Sequence, residues 1–331
     1  MLYMIPYLRS RGQLYFGGVM LVVVIAAAAT FLSEHYGAPV MLFALLIGMA
    51  FNFLAQDNAC EPGVEFSANT LLRFGVGLLG LRLSIGDVES IGLGPVLAVI
   101  GFVMATLACG ALMSRLLGRG MAFGLLAGGS VAICGASAAL AIASVLPPRS
   151  DREQDTLFVV IAVTALSTIA MVAYPVFFQA MGLNDIESGF LIGATIHDVA
   201  QVVGAGYSIN DEAGVIATFV KMVRVALLPV VMLVVMFSFR GAQTQKLALP
   251  WFLVMFIALA VLANSGLVPP KVVDVVADLS RWCLVIAISA LGVKTSLAKF
   301  REVKPSYAAI LVIETLFLLG IAIVFVTWIG I

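Results

Sequence analysis

Apolar residues in this chain come in long unbroken runs, where a soluble helix or strand would show a stripe or an alternation. A helix that crosses the hydrocarbon of a bilayer needs about 20 mostly apolar residues, and such runs are bounded here by charge, proline or glycine clusters. They fall at roughly 14–33, 38–55, 66–83, 91–113, 121–146, 156–181, 188–208, 214–238, 250–265, 280–294 and 306–330. The pattern predicts an all-α polytopic membrane protein of about 11 crossing helices. Connections around 56–65 and 147–155 are short and polar, so residues 1–331 read as one transmembrane domain.

Composition sharpens that picture. The chain of 331 residues is 62% hydrophobic and 11% charged, with mean hydropathy +1.14, whereas soluble domains are about a quarter charged. Its 18 basic residues balance 18 acidic ones, which leaves no charge excess for nucleic acid or an acidic partner. Cys60, Cys109, Cys134 and Cys283 lie far apart, without metal or redox spacing, and read as packing residues. His35 and His197 are too few for a histidine metal centre, so neither a metal nor a cofactor is expected. An alanine run in the first span mimics a signal-peptide cleavage site, but so many further spans predict an uncleaved helix. Loop lysines and arginines give the orientation. With the N-terminus inside, Arg9, Arg11, Arg115, Arg119, Arg240, Lys246, Lys294, Lys299, Arg301 and Lys304 are cytoplasmic, against Arg82, Arg149, Arg152 and Lys271 outside. The expectation is a bacterial inner-membrane protein with its N-terminus in the cytoplasm and its C-terminus outside.

The chain also repeats itself. Leu79-Gly80-Leu81-Arg82-Leu83-Ser84-Ile85 superposes on Leu291-Gly292-Val293-Lys294-Thr295-Ser296-Leu297, and Asn52 on Asn264. An odd number of spans separates the copies, so they run in opposite directions, which is a transporter architecture. The halves are 36–182 and 185–331. A fainter similarity matches Gly124, Leu126, Gly128 and Ser130 to Gly189, Leu191, Gly193 and Thr195, then Thr164 and Pro175 to Thr218 and Pro229. Its parity makes the two copies parallel if both spans cross, so it requires a permutation, a miscounted span, two similar half-helix sites or coincidence.

Three segments carry candidate chemistry. In the fifth span, Gly128-Gly129-Ser130 and Cys134-Gly135-Ala136-Ser137 put a glycine density that lets a helix open at mid-membrane, exposing peptide dipoles that suit an ion; close helix packing by small residues is the plainer alternative. In the seventh, Thr195, His197, Asp198 and Gln201 bring an imidazole, a carboxylate and an amide into an apolar run. Ionisable groups there cost several kcal/mol unless paired or wet, so they mark function before structure, with a helix-tying hydrogen-bond cluster as the alternative. Helical spacing would put His197 and Gln201 on one face. In the eighth, Lys221 and Arg224 share a face, and Arg224 lies about 15 Å along the helix from its charged end. Two like charges there require an anion, so Asp198, Glu314 or a bound substrate is expected nearby, with Arg73 and Glu314 as further buried charges that partner one another or this cluster.

The segments Gly128-Gly129-Ser130-Val131-Ala132-Ile133-Cys134-Gly135-Ala136-Ser137-Ala138, Thr195-Ile196-His197-Asp198-Val199-Ala200-Gln201-Val202-Val203, Lys221-Met222-Val223-Arg224 and Ala290-Leu291-Gly292 together resemble the YeiH-type family of bacterial inner-membrane proteins, labelled sulfate exporters. The resemblance runs from about the second span to the C-terminus. It implies a distant likeness to the cation/proton antiporter and bile-acid symporter superfold, in which a core with broken crossing helices moves against a panel, and a homodimer. The fifth span would be one crossing helix, its partner the seventh or the tenth. The Asn-Asp or Asp-Asp motif of sodium/proton antiporters is absent from this sequence.

These readings converge on a secondary active transporter, an exporter of a small inorganic oxyanion such as sulfate or sulfite. Ser130, Cys134, Ser137, Thr195, Gln201, Lys221 and Arg224 would bind substrate, with His197 and Asp198 coupling transport to a proton or sodium gradient. The alternative is a sodium/proton antiporter that uses Asp198 as the exchange carboxylate, and a gated channel is a third class. An enzyme is not expected, because Gly129-Ser130-Val131 is no nucleophile elbow. No Walker loop or dinucleotide fingerprint offers nucleotide coupling.

Overall fold

A computed structural model describes residues 4–36, 40–55, 59–83, 86, 92–147, 152–239, 250–295 and 305–330, which are helical with no strand among them. Of the charges used above for orientation, Arg149, Arg240, Lys246, Lys299, Arg301 and Lys304 lie outside the described residues, as do the repeat's Ser84, Ile85, Ser296 and Leu297. Six stretches are long and apolar enough to cross a membrane: Leu14–Tyr36, Leu93–Leu116, Gln154–Ala180, Asp211–Ser238, Pro270–Lys294 and Tyr307–Trp328. The chain divides into two compact units, residues 1–84 with 254–297 and residues 85–253 with 298–331.

The first unit is built from α1 (Met4–Tyr36), α2 (Val40–Ala50), α3 (Glu61–Phe66), α4 (Leu72–Leu78), most of α13 (Trp251–Asn264) and α14 (Pro270–Lys294). A π-helical turn, Ser67–Leu71, joins α3 to α4, and a 3-10 turn, Leu79–Arg82, follows α4. Val22, Ile25, Val64, Ala68, Ala290 and Val293 form a core in which α1, α3 and α14 meet. Glycines let the backbones touch: a Cβ on Gly48 of α2 would lie 2.9 Å from the Gly292 Cα of α14. The matched asparagines behave alike. Asn52 Nδ2 donates to the Val293 carbonyl at 2.6 Å, and Asn264 Nδ2 to the Leu83 carbonyl at 2.9 Å, each tying its own copy to the end of the other. Lys294 pairs with Glu65 at the surface.

The second unit holds α5 (Leu93–Leu116), α6 (Met121–Ala132), α7 (Ala136–Val145), α8 (Arg152–Ala180), α9 (Asp185–Thr195), α10 (Val199–Ile209), α11 (Asp211–Ala226), α12 (Leu228–Ser238) and α15 (Pro305–Trp328). Here two of the sequence-predicted spans fold differently. Each is interrupted at its middle and turns back on itself. A Cβ on Gly129 of α6 would strike the Ile142 side chain of α7, and Ala122 and Phe123 share a pocket with Leu146 and Pro147. Likewise Gly189 of α9 and Gly206 of α10 both abut Ala213 of α11, with built Cβ atoms 2.8 and 3.2 Å from its carbonyl oxygen. At 1.5 Å per residue each arm is about 15–18 Å long, half of what the hydrocarbon demands. The fifth and seventh stretches are therefore helical hairpins, and the expected count of crossings falls accordingly.

The two hairpins enter from opposite ends of α15. Phe123, at the open end of the first, packs its ring 4.8 Å from Tyr307, and Phe190, at the open end of the second, 5.9 Å from Phe325. Tyr307 and Phe325 lie about 27 Å apart along the helix. Near its midpoint Thr315 meets His197 at the tip of the second hairpin. Small residues seat both arms: Gly124 and Gly128 pack against Gly110 and Thr106 of α5, and Gly189 and Gly193 against Ala213 and Ala217 of α11. Packing by close approach is the mechanism expected where lipid leaves no hydrophobic difference to drive association.

Candidate functional site

Both hairpin tips are places where a helix stops among buried residues, leaving carbonyls at the end of one arm and amides at the start of the other unpaired. The tip of the first runs through Ile133, Cys134 and Gly135, and that of the second through Ile196, His197 and Asp198. Gly135 takes φ 61 and ψ −123, a conformation closed to residues with a Cβ, and this lets the chain reverse within three residues.

Lys221 and Arg224 of α11 bind both tips at once, and both are buried to within 1% of full exclusion. Arg224 Nε donates to the Ala132 carbonyl at 2.7 Å and Nη2 to Val131 at 2.7 Å. Its Nη1 donates to Gly193 at 2.9 Å and Ile196 at 2.8 Å. Lys221 Nζ donates to the carbonyls of Ile133 at 2.5 Å and Ile196 at 3.0 Å, and also to that of His197. The donors of the pair thus go to backbone, and of the expected acids Asp198 is the one whose charge acts on Lys221. The C-terminal ends of α6 and α9 carry partial negative charge from their aligned peptides, and two cations satisfy orphan carbonyls of both. Glu314 is not the partner of this pair: both its carboxylate oxygens are buried without a hydrogen-bond partner. Arg73, expected to be a buried charge, is exposed.

The amide ends differ. Asp198 caps α10, its Oδ1 accepting from the Ala200 amide at 2.8 Å, while its own amide donates to Ser167 Oγ at 3.0 Å. The N-terminus of α7 follows Gly135 and has no side-chain cap. Ser137 in its first turn is exposed, and Asp198 is half-buried, so this end of the hairpin pair is accessible. The tips touch: a Cβ on Gly135 would lie 3.7 Å from His197 Cβ.

The remaining sequence candidates separate into two groups. Cys134, at the tip, is a buried free thiol. Ser130 lies three residues before the Ile133 break and Thr195 directly before Ile196, and both spend their hydroxyl protons on their own helices, on Leu126 and Leu191 at 2.5 and 2.6 Å. His197 Nε2 lies 2.9 Å from Thr315 Oγ1, and its Nδ1 is buried without a partner. Gln201 Nε2 donates to Thr168 Oγ1 of α8 at 2.8 Å, and its Oε1 is likewise unpartnered. His197 and Gln201 therefore do not share a helical face, because the helix is interrupted at 196–198 and the two side chains address different neighbours. Sequence reading missed Ser167, Thr168 and Thr315, hydroxyls on long helices whose only signal was a polar residue in an apolar run. It missed above all the tip carbonyls, since backbone groups leave no mark in a sequence. Among the described residues no cluster of three or more His, Cys, Asp or Glu side chains could hold a metal.

The family described as Conserved hypothetical protein 698 matches residues 17–311 of this chain. A UPF0324 membrane protein of Chlorobaculum tepidum is 48% identical over 97% of this chain and 91% of its own. The UPF0324 membrane protein TauZ of Paracoccus denitrificans is 49% identical over 95% of each chain. A UPF0324 membrane protein of Rhizobium meliloti is 46% identical over 92% of this chain and 90% of its own. The chain belongs to this family of membrane proteins, the YeiH-type family that its motifs resemble, and it is a multi-pass membrane protein.

Proposed function

We propose that this UPF0324 member is a secondary active transporter of a small inorganic oxyanion such as sulfate or sulfite, bound at the uncapped N-terminus of α7 between the two hairpin tips. One observation carries the reading: two fully buried cations, Lys221 and Arg224, hold the tips together beside a helix end that has no cap of its own. Helix N-termini accept anions through unpaired amides, and buried positive charge strengthens that preference. Half-helix ends that meet at mid-membrane are how transporters of this architecture build their sites. In this reading Ser137 supplies a hydroxyl to the anion, while Lys221 and Arg224 supply field, since their protons already belong to carbonyls. Asp198 repels a second anion and is a candidate for coupling, with His197 beside it.

The opposed hairpins also support an inverted repeat. A single long helix, α8, separates them, so if it crosses the bilayer the hairpins enter from opposite faces. In that topology Arg152, whose Nη1 donates to the Leu146 carbonyl, moves to the cytoplasmic side with Arg115 and Arg119, and the positive-inside bias grows. The N-terminus is then cytoplasmic and the C-terminus outside.

The test is labelled sulfate and sulfite flux into proteoliposomes under imposed pH or sodium gradients. Saturable oxyanion flux that Ser137→Ala weakens severalfold supports the reading. Gradient-driven cation exchange that needs no oxyanion, and that Asp198→Asn abolishes, would replace it with an antiporter.

A further inference from the structure

Away from the hairpin tips, α15 carries a second acidic group that the transport site does not use. Glu314 is 0% exposed, and neither carboxylate oxygen has a hydrogen-bond partner. It sits where α5 and α6 cross: a Cβ on Gly110 would come within 2.5 Å of both Glu314 Oε1 and the Gly124 carbonyl oxygen. The glycines at this crossing leave room for the carboxyl and offer it no donor. Thr315, its neighbour in sequence, instead reaches His197.

Charge near Glu314 is sparse on every element packed against it. Helix α6 contains no titratable residue, and α5 brings the Cys109 thiol close, while Arg115 is turned to Met121. The α8 charges Arg152 and Asp155 face a pocket beside Leu146. On α9 the acids are in the first turn, with Glu187 engaged in its capping box. From α15 itself comes Tyr307, about two turns away and stacked under Arg119, and through Thr315 comes His197. An ionised carboxylate without a cation or a donor costs more in such a place than the protonated acid, which carries no charge to desolvate.

We propose that Glu314 is a proton-binding site of the transporter, protonated in the arrangement seen here and losing its proton when the hairpins move relative to α5 and α15 and admit water. The inference rests on the transporter reading for its role but not for its chemistry. The proton is carried as the carboxyl O–H, and nothing else is bonded or broken. It makes Glu314 a coupling residue distinct from Asp198 and His197.

Two readouts test it on the full-length protein in liposomes. Infrared difference spectra should contain, at neutral pH, the C=O stretch of a protonated carboxyl in dry surroundings that is absent in Glu314→Gln and fades as pH is raised. Absence of that band at neutral pH, or its persistence through the whole titration, overturns the proposal. Flux supplies the second readout. Glu314→Gln, the neutral isostere, should retain oxyanion self-exchange within about twofold and lose accumulation driven by a pH gradient more than tenfold. A merely structural Glu314 would leave both intact or diminish both, and either result also overturns the proposal. Native protein that moves no oxyanion refutes the transport reading instead, and the infrared titration then still decides whether Glu314 exchanges a proton.

Discussion

The two hairpins of the second unit are built alike up to their tips and then diverge. Each seats a glycine-lined first arm on a long helix, each back-bonds a hydroxyl residue in the last turn before the break, and each gives its terminal carbonyls to Lys221 or Arg224. After the break one begins its second arm with a carboxylate cap, Asp198, and the other with a bare glycine, Gly135. The difference teaches which helix end is self-sufficient. The α10 end has its carboxylate built in, and the α7 end has no such cap, which is where the proposed anion would sit.

The shared part of the design is where substitution should cost most. Arg224→Met removes four hydrogen bonds, each worth about 1.5–3 kcal/mol as a bond to a charged group, and leaves the Val131, Ala132 and Gly193 carbonyls without this donor while Ile196 keeps Lys221. The variant is expected to aggregate in detergent, which size-exclusion chromatography would reveal. Arg224→Lys should rescue it only in part, because an ammonium cannot span both tips as a guanidinium does. Equal stability of Arg224→Met and the native protein would mean that the cation does not hold the hairpins together.

At the first tip, Gly135→Ala meets no atom closer than 3.7 Å, so its whole cost is backbone strain, about 1–3 kcal/mol. A thermal-unfolding midpoint several degrees lower is the expected signature, and unchanged unfolding would show the tip free to relax. At the second tip, Asp198→Ala removes a cap worth about 1 kcal/mol, while Asp198→Asn keeps the accepting oxygen and should unfold almost as the native protein does. That pair sharpens the contrast, since no substitution at the first tip removes a cap that was never there. The smallest stability effect is expected for Ser137→Ala, within about 0.5 kcal/mol, because the side chain is exposed. Its transport should nonetheless fall, and an unaltered rate would detach the α7 end from the substrate.

Much of this was legible in the sequence, for stated physical reasons. Apolar runs located the helices, because lipid imposes a length and a composition on anything that crosses it. A glycine cluster located the break in the fifth stretch, though not the one in the seventh, and charges in apolar runs located Lys221, Arg224, His197 and Asp198, all of which the structure gathers at the tips. What could not be read was direction. A helix that bends and one that turns back have the same composition, so the parity that made the fainter repeat, Gly124 to Ser130 against Gly189 to Thr195, parallel assumed two crossing spans where both stretches are hairpins. The partners of the two cations were equally hidden, because carbonyls belong to every residue. Glu314 was read as the partner of a cation, a sound expectation for a buried carboxylate, yet both its oxygens are buried without a hydrogen-bond partner.

The central claim, that an oxyanion binds at the open α7 end, is tested most directly by substrate protection of a thiol placed there. Ser137→Cys would be introduced after Cys60, Cys109, Cys134 and Cys283 are replaced by alanine, and its reaction with a water-soluble maleimide followed in proteoliposomes at constant ionic strength. Sulfate should slow the labelling in a saturable way while chloride leaves it unchanged. Labelling that proceeds at one rate whatever anion is present would contradict the account.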